Sequence, residues 1–113
     1  MIYPEYSVNV NASSSGNNTL VAAVSGHRIR ILGLYFHAAN TAVVAKIQDG
    51  AGGSDLIGPL NFGANGGAVL PLSPSELRGW HETSVGNLLN LNLSGAVQVA
   101  GVLRYCLVPQ GAQ

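Results

Sequence analysis

Histidine is the residue type in this chain with the most chemical potential. The 113 residues contain three, His27, His37 and His81. An imidazole can ligate a metal ion or move a proton near neutral pH. No two of them are close together along the chain, although Glu82 follows His81. If the three histidines converged in the fold, they could form the metal centre of a small β-barrel metalloenzyme. Such a site usually draws two histidines and a carboxylate from one short segment, which this sequence lacks, so we predict no metal and no cofactor.

The carboxylates and the glycine-rich segment give no stronger catalytic signal. The spacing of Asp55, Glu76 and Glu82 permits a glycosidase pair, but nothing else in the sequence favours one. There is no G-x-S-x-G motif of a serine hydrolase. The segment Asp49–Ser54, DGAGGS, is not followed by Lys-Ser and therefore predicts a loop, not a phosphate cradle. We predict that the protein is not an enzyme and has no catalytic residues.

The composition indicates a protein that packs against other subunits. Hydrophobic residues make up 47% of the chain and charged residues 9%, against about 25% in ordinary soluble domains. The formal net charge is zero, whereas free soluble proteins usually keep a net charge to avoid self-association. Without a basic excess, nucleic-acid binding is not expected. The single Cys106 lies in an apolar stretch and is expected to be a buried small hydrophobe.

The sequence predicts neither a membrane span nor a signal peptide. No apolar run approaches 18 residues, so no membrane span is predicted. The first ten residues, MIYPEYSVNV, lack the basic region and long apolar core of a signal peptide. We therefore expect synthesis in a cytoplasm.

Short alternating segments separated by Gly, Asn and Pro predict an all-β protein. The expected strands are Ser7–Ala12, Thr19–Val24, His27–Ala39, Thr41–Gln48, Asp55–Phe62, Ala68–Leu72, Gly79–Thr83 and two within Asn87–Tyr105. One helical turn is expected, over Ser73–Leu77. The fold class that follows is a single domain, 1–113, an antiparallel β-sandwich of jelly-roll type with about eight or nine short strands.

The segment Asn87–Tyr105 carries the clearest strand pattern. Leu89, Leu91 and Leu93 alternate with asparagines, and a second apolar run follows the turn dipeptide Ser94-Gly95. Two such runs around a short turn predict a β-hairpin. The segment Ala64–Gly67, ANGG, likewise predicts a tight hairpin turn.

Several apolar and aromatic residues are candidates for an interface with a partner. From Leu32 onward both faces of the third strand are apolar, which predicts burial of the second face by a sheet partner or by another subunit. Residues 1–6 form a possible N-terminal arm and residues 108–113 a tail. Trp80 is either a core residue or, with the tyrosines, part of a carbohydrate site. The interface candidates are Ile2, Tyr3, Tyr6, Leu34, Phe36, Trp80 and His81.

The order of motifs over residues 27–105 resembles a known group of proteins. A basic strand ends at a glycine, a Gly-Pro strand and a glycine-rich turn follow, and G-W-x-E-T precedes the leucine–asparagine strand. In this pattern the chain is similar to small β-sandwich structural proteins of tailed bacteriophage virions, of the capsid decoration or cement type. The residues that carry the resemblance are Gly33, Leu56, Gly58, Pro59, Leu60, Gly66, Gly67, Pro71, Gly79, Trp80, Glu82, Thr83, Leu89, Asn90, Leu91, Asn92 and Leu93.

The resemblance implies a structural role with no catalytic residues. We expect a protein of the virion's capsid surface, made in the host cytoplasm, that binds across subunits of the major capsid protein. We also expect a homo-oligomer, a dimer or a trimer. The alternative is a tail-fibre or receptor-binding module with a shallow groove around Trp80 and His81. The remote alternative is the metalloenzyme considered above.

Overall fold

The structure, a computed structural model, describes residues 3–73 and 79–111. These residues form nine β-strands, and no helix among them could span a membrane. The strands are β1 (Glu5–Ala12), β2 (Gly16–Val21), β3 (His27–Ala38), β4 (Val43–Asp49), β5 (Ser54–Phe62), β6 (Gly67–Leu70), β7 (His81–Glu82), β8 (Leu89–Leu93) and β9 (Val99–Pro109).

The strands form two antiparallel sheets that pack face to face. The first sheet has the order β1-β9-β3-β6, with the short β7 also pairing with β3. The second sheet has the order β2-β8-β4-β5. Early strands therefore pair with late ones, β1 with β9 and β2 with β8, as they do when one long antiparallel ribbon is rolled up. This is jelly-roll topology, and it confirms the predicted fold class.

The core lies between the sheets and consists of the alternating apolar positions. Ile29, Ile31 and Phe36 of β3 meet Leu89 and Leu91 of β8, and all five side chains are fully buried. Each fully buried side chain of this kind contributes about 1.5–3 kcal/mol to stability. The leucine–asparagine alternation in β8 thus places its leucines in the core, as the period of two predicts.

A β-bulge at Leu32 explains why β3 is apolar on both faces. The pairing of β3 with β9 shifts between Ile31 and Gly33, so one residue of β3 is extra. The extra residue reverses the alternation, which allows Ile31 and Leu34 both to face the core. Leu32 instead packs in a separate small cluster with Cys106 and Val108. The predicted burial of the second face is therefore met only at Leu32, within the chain, whereas Tyr35 and His37 on the same face are exposed.

Both predicted hairpins are wrong. β8 belongs to the second sheet and β9 to the first, so the chain around Ser94-Gly95 crosses between the sheets. The turn around Ala64–Gly67 exists, since Gly66 N donates to Gly63 O at 2.8 Å, but it joins β5 and β6, which also lie in different sheets. Among strands adjacent along the described chain, β4 and β5 form the hairpin, through the DGAGGS loop. A tight turn and an alternating pattern are common to hairpins and to corners between sheets, so the local sequence does not distinguish them.

The strand ends differ from the predicted arm and tail. β1 begins at Glu5, so Tyr6 is part of a sheet. β9 continues to Pro109, and Val108 is fully buried. Of the predicted helical turn, only Ser73 is among the described residues, where its N–H donates to Leu32 O at 2.7 Å.

Candidate interaction surfaces

The histidines do not come together. His27 and His37 lie toward opposite ends of β3 and are separated by about 33 Å at the usual rise per residue. His81 pairs with Ile31, between them. Among the described residues no group of three His, Cys, Asp or Glu side chains could hold a metal ion. The geometry therefore contradicts the convergence that a histidine metal centre would need.

The described carboxylates all support the fold. Glu82 accepts hydrogen bonds from Arg28 Nη1 at 3.1 Å and from Arg30 Nε at 3.2 Å, and so ties β7 to β3. Glu5 lies 2.7 Å from Arg104 Nε across the β1–β9 pair. The glycosidase candidate Glu76 lies outside the described residues. Asp55 accepts a hydrogen bond from Gln48 at 3.0 Å and lies 4.0 Å from the ammonium of Lys46.

Asp49 is the carboxylate with the most hydrogen bonds to a loop. Its Oδ1 accepts from Ser84 N at 3.0 Å and from Asn87 Nδ2 at 2.9 Å, and its Oδ2 accepts from Ser84 Oγ at 2.7 Å. Partial burial raises the pKa of Asp49, but the hydrogen bonds from Ser84 and Asn87 outweigh it and hold the pKa below its ordinary value. The ionised side chain thus fixes the β7–β8 connection against the end of β4.

The aromatic interface candidates are mostly used inside the molecule. Tyr3 packs against the cluster of Leu32, Cys106 and Val108. Tyr6 is half-exposed at the end of the sandwich, where its ring stacks on Tyr105 with centroids 5.5 Å apart. Tyr6 therefore remains available to a partner. Ile2 lies outside the described residues.

The remaining candidates divide between the core and the surface. Leu34 and Phe36, predicted as interface residues, are buried in the sandwich core, where no partner can contact them. Trp80 packs against the same core, and its indole N–H donates to Pro71 O at 2.8 Å. His81 is exposed. Within residues 3–73 and 79–111, Trp80 and His81 therefore do not line an open aromatic groove.

Three exposed apolar side chains form a row on the outer face of the first sheet. Val102 of β9 pairs with Tyr35 of β3, which pairs in turn with Val69 of β6. They are 38%, 44% and 64% exposed. Three neighbouring strands span about 10 Å, so the side chains form one continuous patch. We name these three residues the Tyr35 patch.

The surroundings of the Tyr35 patch contain little free charge. Asn9 extends the row onto β1, and the next row along the strands contains Ala100 and His37. The guanidinium of Arg104, further along β9, is paired with Glu5. An apolar centre with a neutral polar rim is typical of a protein–protein interface. Val69 and Val102 are not among the interface residues predicted from the sequence. For Val102 the sequence does contain a signal, because its alternation with Leu103 places it on the outward face.

The outer face of the second sheet carries a different surface, a chain of side-chain amides. Asn90 Nδ2 donates to Asn17 Oδ1 at 3.0 Å and to Gln48 Oε1 at 2.9 Å. Asn92 Nδ2 also donates to Asn17 Oδ1, at 3.1 Å, and Gln48 continues the chain to Asp55. Asn90 is fully buried, and its Oδ1 has no hydrogen-bond partner within the described part of the chain. The asparagines of this face therefore bond to one another and to Gln48.

Comparison of the chain with protein-family models, with curated proteins and with solved structures found no match.

Proposed function

We propose that this protein is a structural virion protein of a tailed bacteriophage, which decorates or cements the capsid by binding across subunits of the major capsid protein. The proposal rests on the pattern of motifs over residues 27–105, on the jelly-roll fold and on the surface. Jelly rolls serve widely as capsid and carbohydrate-binding domains. Their function lies in their surfaces, so the choice between binding roles must come from specific residues.

The observation that carries the proposal is the Tyr35 patch. Its three side chains stay exposed in the isolated chain although they are large and apolar. Exposed apolar patches with neutral polar rims mark sites where another protein binds. A tyrosine at the centre suits this role, because tyrosine is among the residues that dominate interface energetics.

The same contacts disfavour the tail-fibre alternative in its predicted form. A glycan-binding groove needs an accessible aromatic face, but Trp80 is partly buried against the core and its N–H is bonded to Pro71. Tyr35, an exposed aromatic residue of the first sheet, lies on a sheet face between two valines. This arrangement suits a flat protein surface better than a sugar.

The direct test is co-sedimentation of the purified protein with emptied phage capsids assembled without it. We expect saturable binding at a fixed ratio to capsid subunits. The variant Val69→Lys/Val102→Lys should weaken binding at least tenfold, because two ammonium groups would be desolvated in the interface. The control Ala51→Lys/Ser54→Lys adds the same charge at two exposed positions of the β4–β5 hairpin and should bind like the unmodified protein.

Two outcomes would contradict the proposal. If the unmodified protein does not bind capsids, the decoration role is wrong, and binding to host cell-surface glycans becomes the next measurement. If the protein binds but the Val69→Lys/Val102→Lys variant binds equally well, the Tyr35 patch is not the surface that it uses.

A further inference from the structure

The edges of the two sheets differ in how they are protected from pairing with another strand. An edge strand has unpaired N–H and C=O groups, which natural proteins usually guard with proline, bulges or short length. In the second sheet, β5 contains Gly58-Pro59, and the pairing of β2 shifts between Thr19 and Val21. In the first sheet, β6 has only four residues and is followed by Pro71.

β1 has none of these guards. It pairs with β9 without interruption over eight residues, Glu5–Ala12, and contains no proline or glycine. Among the described residues no strand pairs with its other side. Its only charged residue, Glu5, is held by Arg104 at 2.7 Å. A regular, uncharged edge of this length can accept another strand.

The edge of β1 is also open to solvent along part of its length. A groove of about 210 Å³ runs between the edge strands β1 and β2, lined by residues 9–12 and residues 18–20. Side-chain and backbone polar groups dominate its lining, which includes Asn9, Asn11, Asn18 and Thr19. The groove therefore leaves the edge of β1 open beside residues 9–12.

We propose that β1 pairs antiparallel with β1 of a second copy of this chain, which makes a two-fold dimer with a continuous first sheet. The side chains of β1 suit this pairing. A two-fold axis perpendicular to the sheet keeps the outer faces of both copies on one side of the continuous sheet and their core faces on the other. Ser7, Asn9 and Asn11 then meet the neutral side chains of the same row, and Val8 and Val10 meet on the core side. A chain with zero net charge has no overall repulsion to oppose the contact.

This pairing has a geometric consequence for the Tyr35 patch. A two-fold axis perpendicular to the continuous sheet places the patches of both copies on the same outer face. A dimer would therefore offer two equivalent apolar sites to one flat partner, which raises affinity through avidity. The pairing itself does not depend on the proposed function and is tested without capsids.

The first test measures the mass of the protein in solution by light scattering coupled to gel filtration. The unmodified chain of 11.6 kDa should elute with about twice that mass. The variant Ser7→Lys/Asn9→Lys places like charges at the proposed contact and should be a monomer with an unchanged circular dichroism spectrum. The hairpin control Ala51→Lys/Ser54→Lys should remain a dimer.

The second test determines the register by disulfide trapping. The test uses three variants, Ser7→Cys, Asn9→Cys and Asn11→Cys, each oxidised alone and in pairwise mixtures. The native Cys106 is buried and should not react. In antiparallel pairing, residues whose numbers sum to one even value lie opposite each other. At least one single variant or mixture should therefore cross-link strongly, and a register centred on Asn9 should cross-link two: Asn9→Cys alone and the mixture of Ser7→Cys with Asn11→Cys. Ser54→Cys is the control and should not cross-link. A monomeric unmodified protein, or a dimer that survives the edge lysines and gives no cross-link through β1, would overturn the proposal.

Discussion

The carbonyl oxygen of Tyr35 lies directly against Gly101, where β3 and β9 are hydrogen-bonded neighbours. A Cβ at Gly101 would collide with this oxygen, and the backbone φ of +157° is one that L side chains rarely adopt. The bare glycine allows β9 to approach β3 closely. Since Val102 is the next residue, this contact also positions Val102 beside Tyr35 on the outer face. Gly101 thus allows the close approach of β9 to β3 and also determines where Val102 lies in the Tyr35 patch.

Gly101→Ala should lower the free energy of unfolding by about 3 kcal/mol, because the two strands must separate to admit the methyl group. Urea denaturation followed by circular dichroism measures this change. Gly95→Ala is the matched control, since nothing lies within 4 Å of a Cβ there, and its effect should be below about 0.5 kcal/mol. Equal stability of the two variants would mean that β9 moves away from β3 at no cost.

Glu82→Ala should destabilise the fold by about 2–4 kcal/mol. Arg30 is only 3% exposed and loses its ion pair with Glu82 in this variant, and Arg28 loses its ion pair with Glu82 as well. Removing one member of a buried ion pair is costly because a charge remains in a poorly solvated place. Thermal and urea denaturation of the purified variant measure the loss.

Glu5→Ala is the control for this comparison, because it also breaks a carboxylate–arginine pair between neighbouring strands. Arg104 is 52% exposed in its side chain, so water can replace the lost partner. We expect a change of less than about 1 kcal/mol. Similar losses for Glu82→Ala and Glu5→Ala would show that burial of Arg30 does not strengthen its pair.

The contribution of Asp49 to stability should disappear at low pH. Hydrogen bonds from Ser84 and Asn87 hold the pKa of Asp49 below its ordinary value, so the folded state favours the ionised form. Such a group stabilises the fold fully above the pKa of the unfolded chain, about 3.9, and the effect is lost as the pH falls through the folded-state pKa. Asp49→Asn should therefore cost about 1 kcal/mol at pH 7, after allowance for solvent screening.

The measurement is the free energy of unfolding of the unmodified protein and of Asp49→Asn from pH 7 down to about pH 2. The difference between them should shrink toward zero with falling pH. Ser84→Ala, made in both backgrounds, should cost less when residue 49 is asparagine. A difference that grows as the pH falls would mean that Asp49 is stabilised in its protonated form.

Much of the fold was predictable because it depends on patterns that repeat along the chain. The alternation around Leu89, Leu91 and Leu93 predicted a strand with one dry face, and these leucines are in the core. Turn residues between short strands predicted a β-sandwich, and the structure confirms it. The partners of each strand were not predictable in the same way: β8 was expected to pair with β9, yet it lies between β2 and β4.

The sequence by itself determined the fold class, the strand positions and the scarcity of charge, because each follows from local periodicity or composition. In β3, only the tertiary structure decided which apolar residues are core and which are surface. The extra residue at Leu32 reverses the alternation of β3, so Leu34 and Phe36 are buried while Tyr35 faces outward. Val69 and Val102 join Tyr35 only because strands distant along the chain are neighbours in the first sheet. A patch of this kind depends on strand order and register, which long-range packing sets and no short segment encodes.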